Sequence, residues 1–322
     1  MKARMTELAI AVDLGGTNVR CSVIDARGRV LFDSRQSSAG SEGVDAVIRR
    51  IARMIDAAAE DQNLDSSVVV GVAAPGPLDA ERGIVKFAPN LPGWDEVPLR
   101  DRLEELTGRR IVIGNDANAQ ALGEYYFGAA KDVDNLVYIA LGTGLGGGVI
   151  AEGELIDGYA GLGGELGHTT INMNGPRCSC GSQGCVESYC SGWAIARDGR
   201  ALAESGRSVV LKRLAVEREI GAKEVSEAAA AGDEEAAEVI RMAGYALGAA
   251  LANYVNIFNP QMIVIGGGLA EIGEALLAPA RQSMMRYALT DLTTGLEIRR
   301  SGLGVRTGLY GAAALVLHSD TL

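Results

Sequence analysis

The sequence predicts an α/β protein built from two domains of one topology. Three observations support this. Strand-like runs alternate with helical ones along almost the whole 322-residue chain. Only 5% of the residues are aromatic while glycine and alanine abound, a composition that suits helices packed on sheets better than an all-β core. And the opening repeats itself. E-L-A-I-A-V-D-L-G-G-T-N-V-R-C-S-V-I-D is echoed by N-L-V-Y-I-A-L-G-T-G-L-G-G-G-V-I-A-E-G-E-L, each a strand, a Gly-Thr turn and a second strand. The separation, roughly 125–130 residues, is that of a duplicated domain rather than a solenoid unit.

The elements follow in order. Residues 8–12, 19–24 and 29–33 read as a three-stranded meander with a Gly-Gly turn between the first two strands. Residues 42–61 have helical periodicity, with Val44, Val47, Ile48, Ile51, Met54 and Ile55 on one face. A short apolar strand at 68–73 leads into the turn A-P-G-P-L-D, and P-N-L-P-G-W at 89–94 is a loop. A helix at 101–107 stops at Gly108. A strand at 110–113 ends in G-N-D, and 117–127 is a helix. After the repeated strands, 165–168 reads as a helical turn, and 192–204, 226–231 and 233–257 as helices, the last ended by Asn259-Pro260. A buried strand at 262–265 runs into three glycines. A helix at 270–287, a strand at 296–301 and an Ala-rich helix at 308–318 complete the chain.

Charge and targeting narrow the function. The net charge is −11 and no basic block occurs, which argues against nucleic acid as a partner. A bound phosphate must then be held by backbone amides, helix termini or a cation. The apolar run Leu8–Val12 is broken by Asp13, too short for a signal peptide, and no run approaches the ~18 apolar residues of a membrane helix. Reduced cysteines and no targeting segment lead us to expect a cytoplasmic protein without a membrane partner.

The stretch His168–Glu187 is the densest in chemistry. His168, Cys178, Cys180 and Cys185 form a Cys3His set, which suits tetrahedral Zn²⁺ with no position left for water, hence a structural site. Gly175, Gly181 and Gly184 interleave as a tight ligating loop requires. Buried thiols with a core histidine, or a disulfide pair, are the alternatives. Glu165 and Glu187 flank the set, so a metal that folds the loop would fix two carboxylates and an imidazole. One ring nitrogen of His168 can ligate while the other donates to a hydroxyl.

Three Gly-rich turns follow strands, at 13–17, 142–148 and 266–268. None is a P-loop or a dinucleotide fingerprint, since the first two lead into strands. With hydroxyls at Thr17 and Thr143 they read as a pair of phosphate clamps, although a hairpin needs glycine in any case. Asp13 could hold a water of Mg²⁺. Asp116, where a strand meets a helix, is the candidate base; one of Asn115 and Asp116 would cap the helix. Asn115, Asp116, Glu165, His168 and Glu187, with Asn90, make a donor and acceptor set suited to a polyol such as a sugar. Cys21 and Cys190 are expected to be buried thiols, and His318 to lie at the surface.

D-L-G-G-T, G-N-D-A-N-A at 114–119, E-L-G-H at 165–168 and C-S-C-G-S-Q-G-C-V-E at 178–187 together resemble the ROK family of sugar kinases and repressors. The resemblance spans nearly the whole chain. It implies the two-domain actin-like (ribonuclease H-like) sugar kinase fold, with an interdomain cleft for ATP, a zinc loop and Mg²⁺. On matching positions, Asp116 resembles the general base. Asn115, Glu165, His168 and Glu187 resemble the sugar contacts, and His168, Cys178, Cys180 and Cys185 the zinc ligands. The turns carrying Asp13, Gly15, Gly16, Thr17 and Asn18 and carrying Thr143 and Gly144, with Gly267, resemble the nucleotide site. The expected domains are 1–115, joined by a returning helix at 307–322, and 116–306. A homodimer or dimer of dimers is expected. ROK repressors carry a winged helix before this region, and the early Asp13 leads us to expect none here. Within the kinases the A-P-G-P-L-D and P-N-L-P-G-W loops look most like the glucokinases, which implies ATP-dependent transfer to the 6-hydroxyl of glucose. Kinases of N-acetylmannosamine, N-acetylglucosamine, mannose and fructose share most of these residues. A non-catalytic sugar sensor is the other alternative.

Overall fold

In the computed structural model, which describes residues 7–88, 90–159 and 161–318, the predicted meander opens the chain. β1 (Leu8–Leu14), β2 (Asn18–Asp25) and β3 (Val30–Ser37) pair antiparallel in sequence. β1 is buried on both faces with different side chains. Ile10, Val12 and Leu14 join the cluster formed with α1 (Val44–Asp61), through Val47, Ile48, Ile51, Met54 and Ile55. Ala9 and Ala11 face the other cluster, with Leu309, Ala312 and Ala313. The period-2 alternation of large and small residues thus decides which helix lies on which face. Each large side chain so buried contributes on the order of 1.5–3 kcal/mol.

β4 (Val70–Ala74) runs parallel to β1. β5 (Leu78–Asp79), β6 (Ile84–Phe87) and β7 (Asp95–Val97) then form a small antiparallel sheet where the sequence suggested a turn and a loop. Strands of two to four residues show too little alternation to be read from sequence. Pro89, in the predicted loop, lies outside the described residues. α2 (Leu99–Thr107) ends at Gly108, and β8 (Ile111–Asn115) closes a sheet of order β3-β2-β1-β4-β8 before α3 (Asp116–Phe127).

The duplicated opening builds a second sheet. β9 (Leu136–Leu141), β10 (Leu145–Ala151) and β11 (Glu154–Leu155) are followed by four helices, α4 (Glu187–Cys190), α5 (Gly192–Ser205), α6 (Val209–Leu214) and α7 (Ala222–Ala230). α8 (Glu234–Phe258) runs for 25 residues from a cap in which Asp233 accepts the Ala236 N–H, to Asn259 in the left-handed region. β12 (Met262–Gly266), α9 (Glu274–Tyr287), α10 (Thr290–Thr293), β13 (Glu297–Arg300) and α11 (Thr307–Leu317) complete the chain. The second sheet has the order β11-β10-β9-β12-β13, which is the first sheet's order position for position. The expected α/β fold is therefore present, with the duplication visible as topology. α4, α6 and α10 had no counterpart in the sequence reading, and α7 starts four residues earlier than expected, at the Gly221 cap.

By contact density the chain forms two compact units. One is Met1–Leu136, Gly148–Gly164 and Ser301–Leu322; the other is Val137–Gly147 and Glu165–Arg300. α3 belongs to the first unit because it packs on α11, which also covers β1 and β4. The sequence-based division at 115/116 instead assigns α3 to the second domain; the last residues of its returning helix, 319–322, lie outside the described residues. Among the described residues no helix is long and apolar enough to cross a membrane.

Candidate active site and metal centre

In the first unit the polar groups are held by backbone. The turn after β1 is closed by Gly15 N–H donating to Asn18 O at 2.9 Å. Ser38 fastens it from β3's end, its Oγ–H donating to Gly16 O at 2.6 Å and its N–H to Thr17 O at 2.9 Å. Thr17 is exposed, and the Asn18 Oδ1 accepts from Arg35 Nε at 3.1 Å. Gly16 is a close approach: a Cβ there would stand 2.6 Å from the Cβ of Asn90, so the turn and the predicted sugar loop touch backbone to side chain. Asp13, at the end of β1, lies under the start of α11, where a Cβ on Gly308 would be 2.5 Å from its Cγ. Burial pushes its carboxyl up to about 6, against the opposing pull of Arg20.

The Asn115-Asp116 pair divides its labour. Asn115 is the N-cap of α3. Its Oδ1 accepts the N–H groups of Ala117 at 3.0 Å and Asn118 at 3.1 Å, while its Nδ2 donates to Gly76 O at 3.1 Å. Asp116 is the first helical residue, with its Oδ1 accepting the Ala117 N–H at 2.8 Å. Further along α3, Glu124 is fully buried and accepts from Ala129 N at 2.8 Å, Gly302 N at 3.1 Å, Leu303 N at 3.3 Å and the hydroxyls of Ser301 and Thr307. Sequence reasoning missed this residue. A glutamate on an otherwise inward helix face was the signal that would have found it.

In the second unit the metal candidates converge. The ligand atoms of His168, Cys178, Cys180 and Cys185 all lie within 4.8 Å of one another. The Cys180 and Cys185 sulfurs are 3.8 Å apart, and Cys178 Sγ is 3.6 Å from His168 Nδ1. A tetrahedron with Zn–S of ~2.3 Å and Zn–N of ~2.0–2.1 Å has edges of ~3.8 Å and ~3.6 Å, so the donor set fits zinc. The five cysteines are free thiols, and 3.8 Å is far beyond a disulfide's ~2.05 Å, which removes the disulfide alternative. The loop is folded by its own amides. Cys178 N–H donates to Ser182 O and Val186 N–H to Thr169 O, at 2.9 and 3.0 Å, and Ile171 N–H to Gly184 O at 2.9 Å. Gly184 has φ +73°, and a Cβ there would fall 1.7 Å from Asn172 O, so only glycine closes this bend.

The carboxylates flanking the loop differ. Glu165 is half-exposed and lies with its Oε2 4.0 Å from His168 Nε2, so the imidazole turns one nitrogen to the thiols and the other to this acid. Glu187 is buried. Its Oε1 accepts from Ser179 Oγ at 3.0 Å and Trp193 Nε1 at 3.3 Å, and its Oε2 from Leu145 N at 2.9 Å. Ser179 and Trp193 were not singled out from sequence, although a Trp opening a helix needs a partner for its N–H.

The turn between β9 and β10 carries Thr143, exposed, and Gly144. Gly142 O accepts from Gly192 N at 2.9 Å and Thr143 O from Trp193 N at 3.1 Å, so the turn rests on the first residues of α5. Beside it opens a cavity of about 850 Å³, lined by Thr143, Trp193, Arg200, Lys223, Glu224 and Gly268 among others. Gly267 follows β12 and caps the 3-10 turn Gly268–Ile272, whose Gly268 lines this cavity. A larger groove of about 1020 Å³ on α5, α8 and α9 contains none of the predicted site residues. Cys21 and Cys190 are buried, as expected. His318 is half-buried rather than freely exposed: its ring stacks on Tyr126 with centroids 3.7 Å apart, and burial lowers its pKa.

Comparisons with known proteins cover nearly all of the chain. The ROK family pattern matches residues 9–319. A glucokinase of Thermotoga maritima is 39% identical over 308 residues, 95% of this chain and 96% of that protein. A xylose repressor of Caldicellulosiruptor bescii is 33% identical, over 97% of this chain and 78% of its own length. Among solved structures, a ROK family glucokinase from Streptomyces griseus, in complex with glucose and AMPPNP, superposes with a TM-score of 0.83 at 36% identity and covers 97% of this chain and 100% of its own.

Proposed function

The chain belongs to the ROK family, and from that premise we propose that it catalyses ATP-dependent phosphorylation of glucose at the 6-hydroxyl. The observation that carries the reading is the Cys3His cluster at tetrahedral spacing, with Glu165 and Glu187 tied to it, in a chain that matches glucokinases from end to end.

The roles follow from the chemistry of each group. Asp116 orients the sugar's 6-hydroxyl and takes its proton as the oxygen attacks the γ-phosphorus in line. The backbone hold of Ala117 on its Oδ1 fixes the carboxylate against rotation. General-base help of this kind is worth ~10²–10⁴-fold, and the rest comes from positioning and electrostatics. Asn90, Asn115, Glu165, His168 and Glu187 are assigned to the sugar hydroxyls. Asn115 would reach the sugar only through what its capping bonds leave over. The turn amides with Gly15, Gly16, Thr17, Asn18, Thr143, Gly144 and Gly267 are assigned to the nucleotide. Zinc, when bound by His168, Cys178, Cys180 and Cys185, supplies a tetrahedral tie that orders the loop. Asp13 is assigned to hold a water of Mg²⁺, which when bound would supply charge neutralisation at the phosphates. A cytoplasmic homodimer or dimer of dimers is part of the same proposal.

A coupled assay with ATP over glucose, mannose, fructose, N-acetylmannosamine and N-acetylglucosamine tests it. Glucose should give the highest kcat/KM; a preference for an N-acetylhexosamine would move the assignment to another kinase of the family. The second reading, a sugar sensor without turnover, is favoured by the likeness to a xylose repressor. It predicts glucose binding with no phosphate transfer in the same assay.

A further inference from the structure

We propose that Glu187 is a positioning residue for the nucleotide turn, and that the zinc loop acts on nucleotide binding through it. The inference rests on the reading of the Thr143 turn as part of the ATP site.

Three bonds seat that turn in the second unit. Gly192 N–H donates to Gly142 O at 2.9 Å, Trp193 N–H to Thr143 O at 3.1 Å, and Leu145 N–H to Glu187 Oε2 at 2.9 Å. All three partners lie within eight residues directly after Cys185. The turn is therefore fastened to the chain that leaves the metal loop. Of the three, the Glu187 bond is charge-assisted and buried, and such bonds are roughly twice as strong as neutral ones. The fit is close: a Cβ on Gly144 would stand 2.6 Å from Glu187 Oε2, so any shift of the carboxylate moves Gly144 or opens a gap beneath it.

The other end of Glu187 is anchored in the loop. Ser179, between two of the cysteines, donates to Oε1 at 3.0 Å, and the Trp193 indole N–H adds a second donor at 3.3 Å. Trp193 also lines the 850 Å³ cavity beside Thr143. A carboxylate with donors on both oxygens cannot rotate without losing one of them. Order in the cysteine loop thus passes through Ser179 to Glu187 and on to Leu145, Gly144 and Thr143. Ser179 itself lines neither the cavity nor the turn, which makes it the informative place to intervene.

The test is Ser179→Ala, with Ser179→Thr as the rescue. KM for ATP and for glucose and the zinc content are measured on the full chain. The expected result is KM for ATP raised about 5-fold, zinc retained, and ATP affinity restored by Ser179→Thr, with KM for glucose, which Glu187 also serves, raised by less than KM for ATP. An effect on glucose equal to or larger than that on ATP, with or without loss of zinc, overturns the proposal, as does no effect on either. If the wild type fails to phosphorylate glucose, the functional reading falls separately. The inference is then decided by calorimetric titration with AMPPNP, where Ser179→Ala should bind about 5-fold more weakly than wild type; equal affinity overturns it.

Discussion

The Asn115-Asp116 corner of the first unit and the cysteine loop of the second present polar groups by opposite means. The corner is built from regular structure. A parallel strand ends, an asparagine caps a helix, and the proposed base, Asp116, occupies the first helical position. The loop contains almost no regular structure and is organised by its own amides around four converging candidate metal ligands. One holds its chemistry with the energy of a hydrophobic sheet; the other, with the proposed zinc, would hold it with the affinity of an ion. Damage to the first should therefore appear in turnover, and damage to the second in folding.

The largest effect sharpens that contrast. Cys185→Ser should lose zinc and destabilise the chain by at least about 3 kcal/mol, a modest fraction of what structural zinc binding is worth in small metal domains. Thermal melting with and without a chelator measures it. A chelator-insensitive melt would mean that the loop folds without metal and that the two regions are held alike. Asp116→Asn should leave melting and glucose affinity near wild type while kcat falls ~10²–10⁴-fold. A stopped assay with bound glucose quantified separately decides this, and turnover near wild type would remove the base from position 116.

Smaller effects probe the corner's scaffolding. Glu124→Gln replaces a fully buried acceptor of five donors with an amide that must turn its own N–H groups toward some of them. A cost of roughly 1.5–3 kcal/mol in denaturant unfolding is expected. Asn115→Ala removes a cap and should cost about 1 kcal/mol with a smaller loss of kcat than Asp116→Asn. The subtlest concerns Asp13. Burial holds its carboxyl at about 6, whereas the unfolded chain titrates near 3.8. Between those values the native state keeps a proton that the unfolded state has lost. Its contribution thus falls as pH rises from about 4 to 6 and is flat above. Asp13→Asn should gain stability relative to wild type across that window; a constant difference would assign the carboxyl an ordinary environment.

Much of this was legible in the chain itself. The cysteine loop could be read because its ligands are near neighbours in sequence, so spacing alone encodes geometry. The two sheets could be read because Leu8–Asp25 and its echo at 136–155 repeat one strand-turn-strand pattern, which the shared sheet order bears out. The capping partner could be narrowed to Asn115 or Asp116 but not chosen, since both types cap and only the backbone turn decides. Glu124's bonds to residues 301–307 and the bond from Leu145 to Glu187 stayed hidden because they join residues 42 to 183 positions apart, and no local period records such a meeting. The strands β5 to β7 were too short to show alternation against a background of prolines and glycines.

The orientation of the His168 ring has one more consequence. With Nδ1 turned to the thiols and Nε2 to Glu165, an ion at the first nitrogen dictates that the second carries hydrogen. A zinc bound there would thereby choose a tautomer as well as a shape. A fourth cysteine in place of His168 would still bind zinc, yet it would erase the one donor whose direction the ion guarantees.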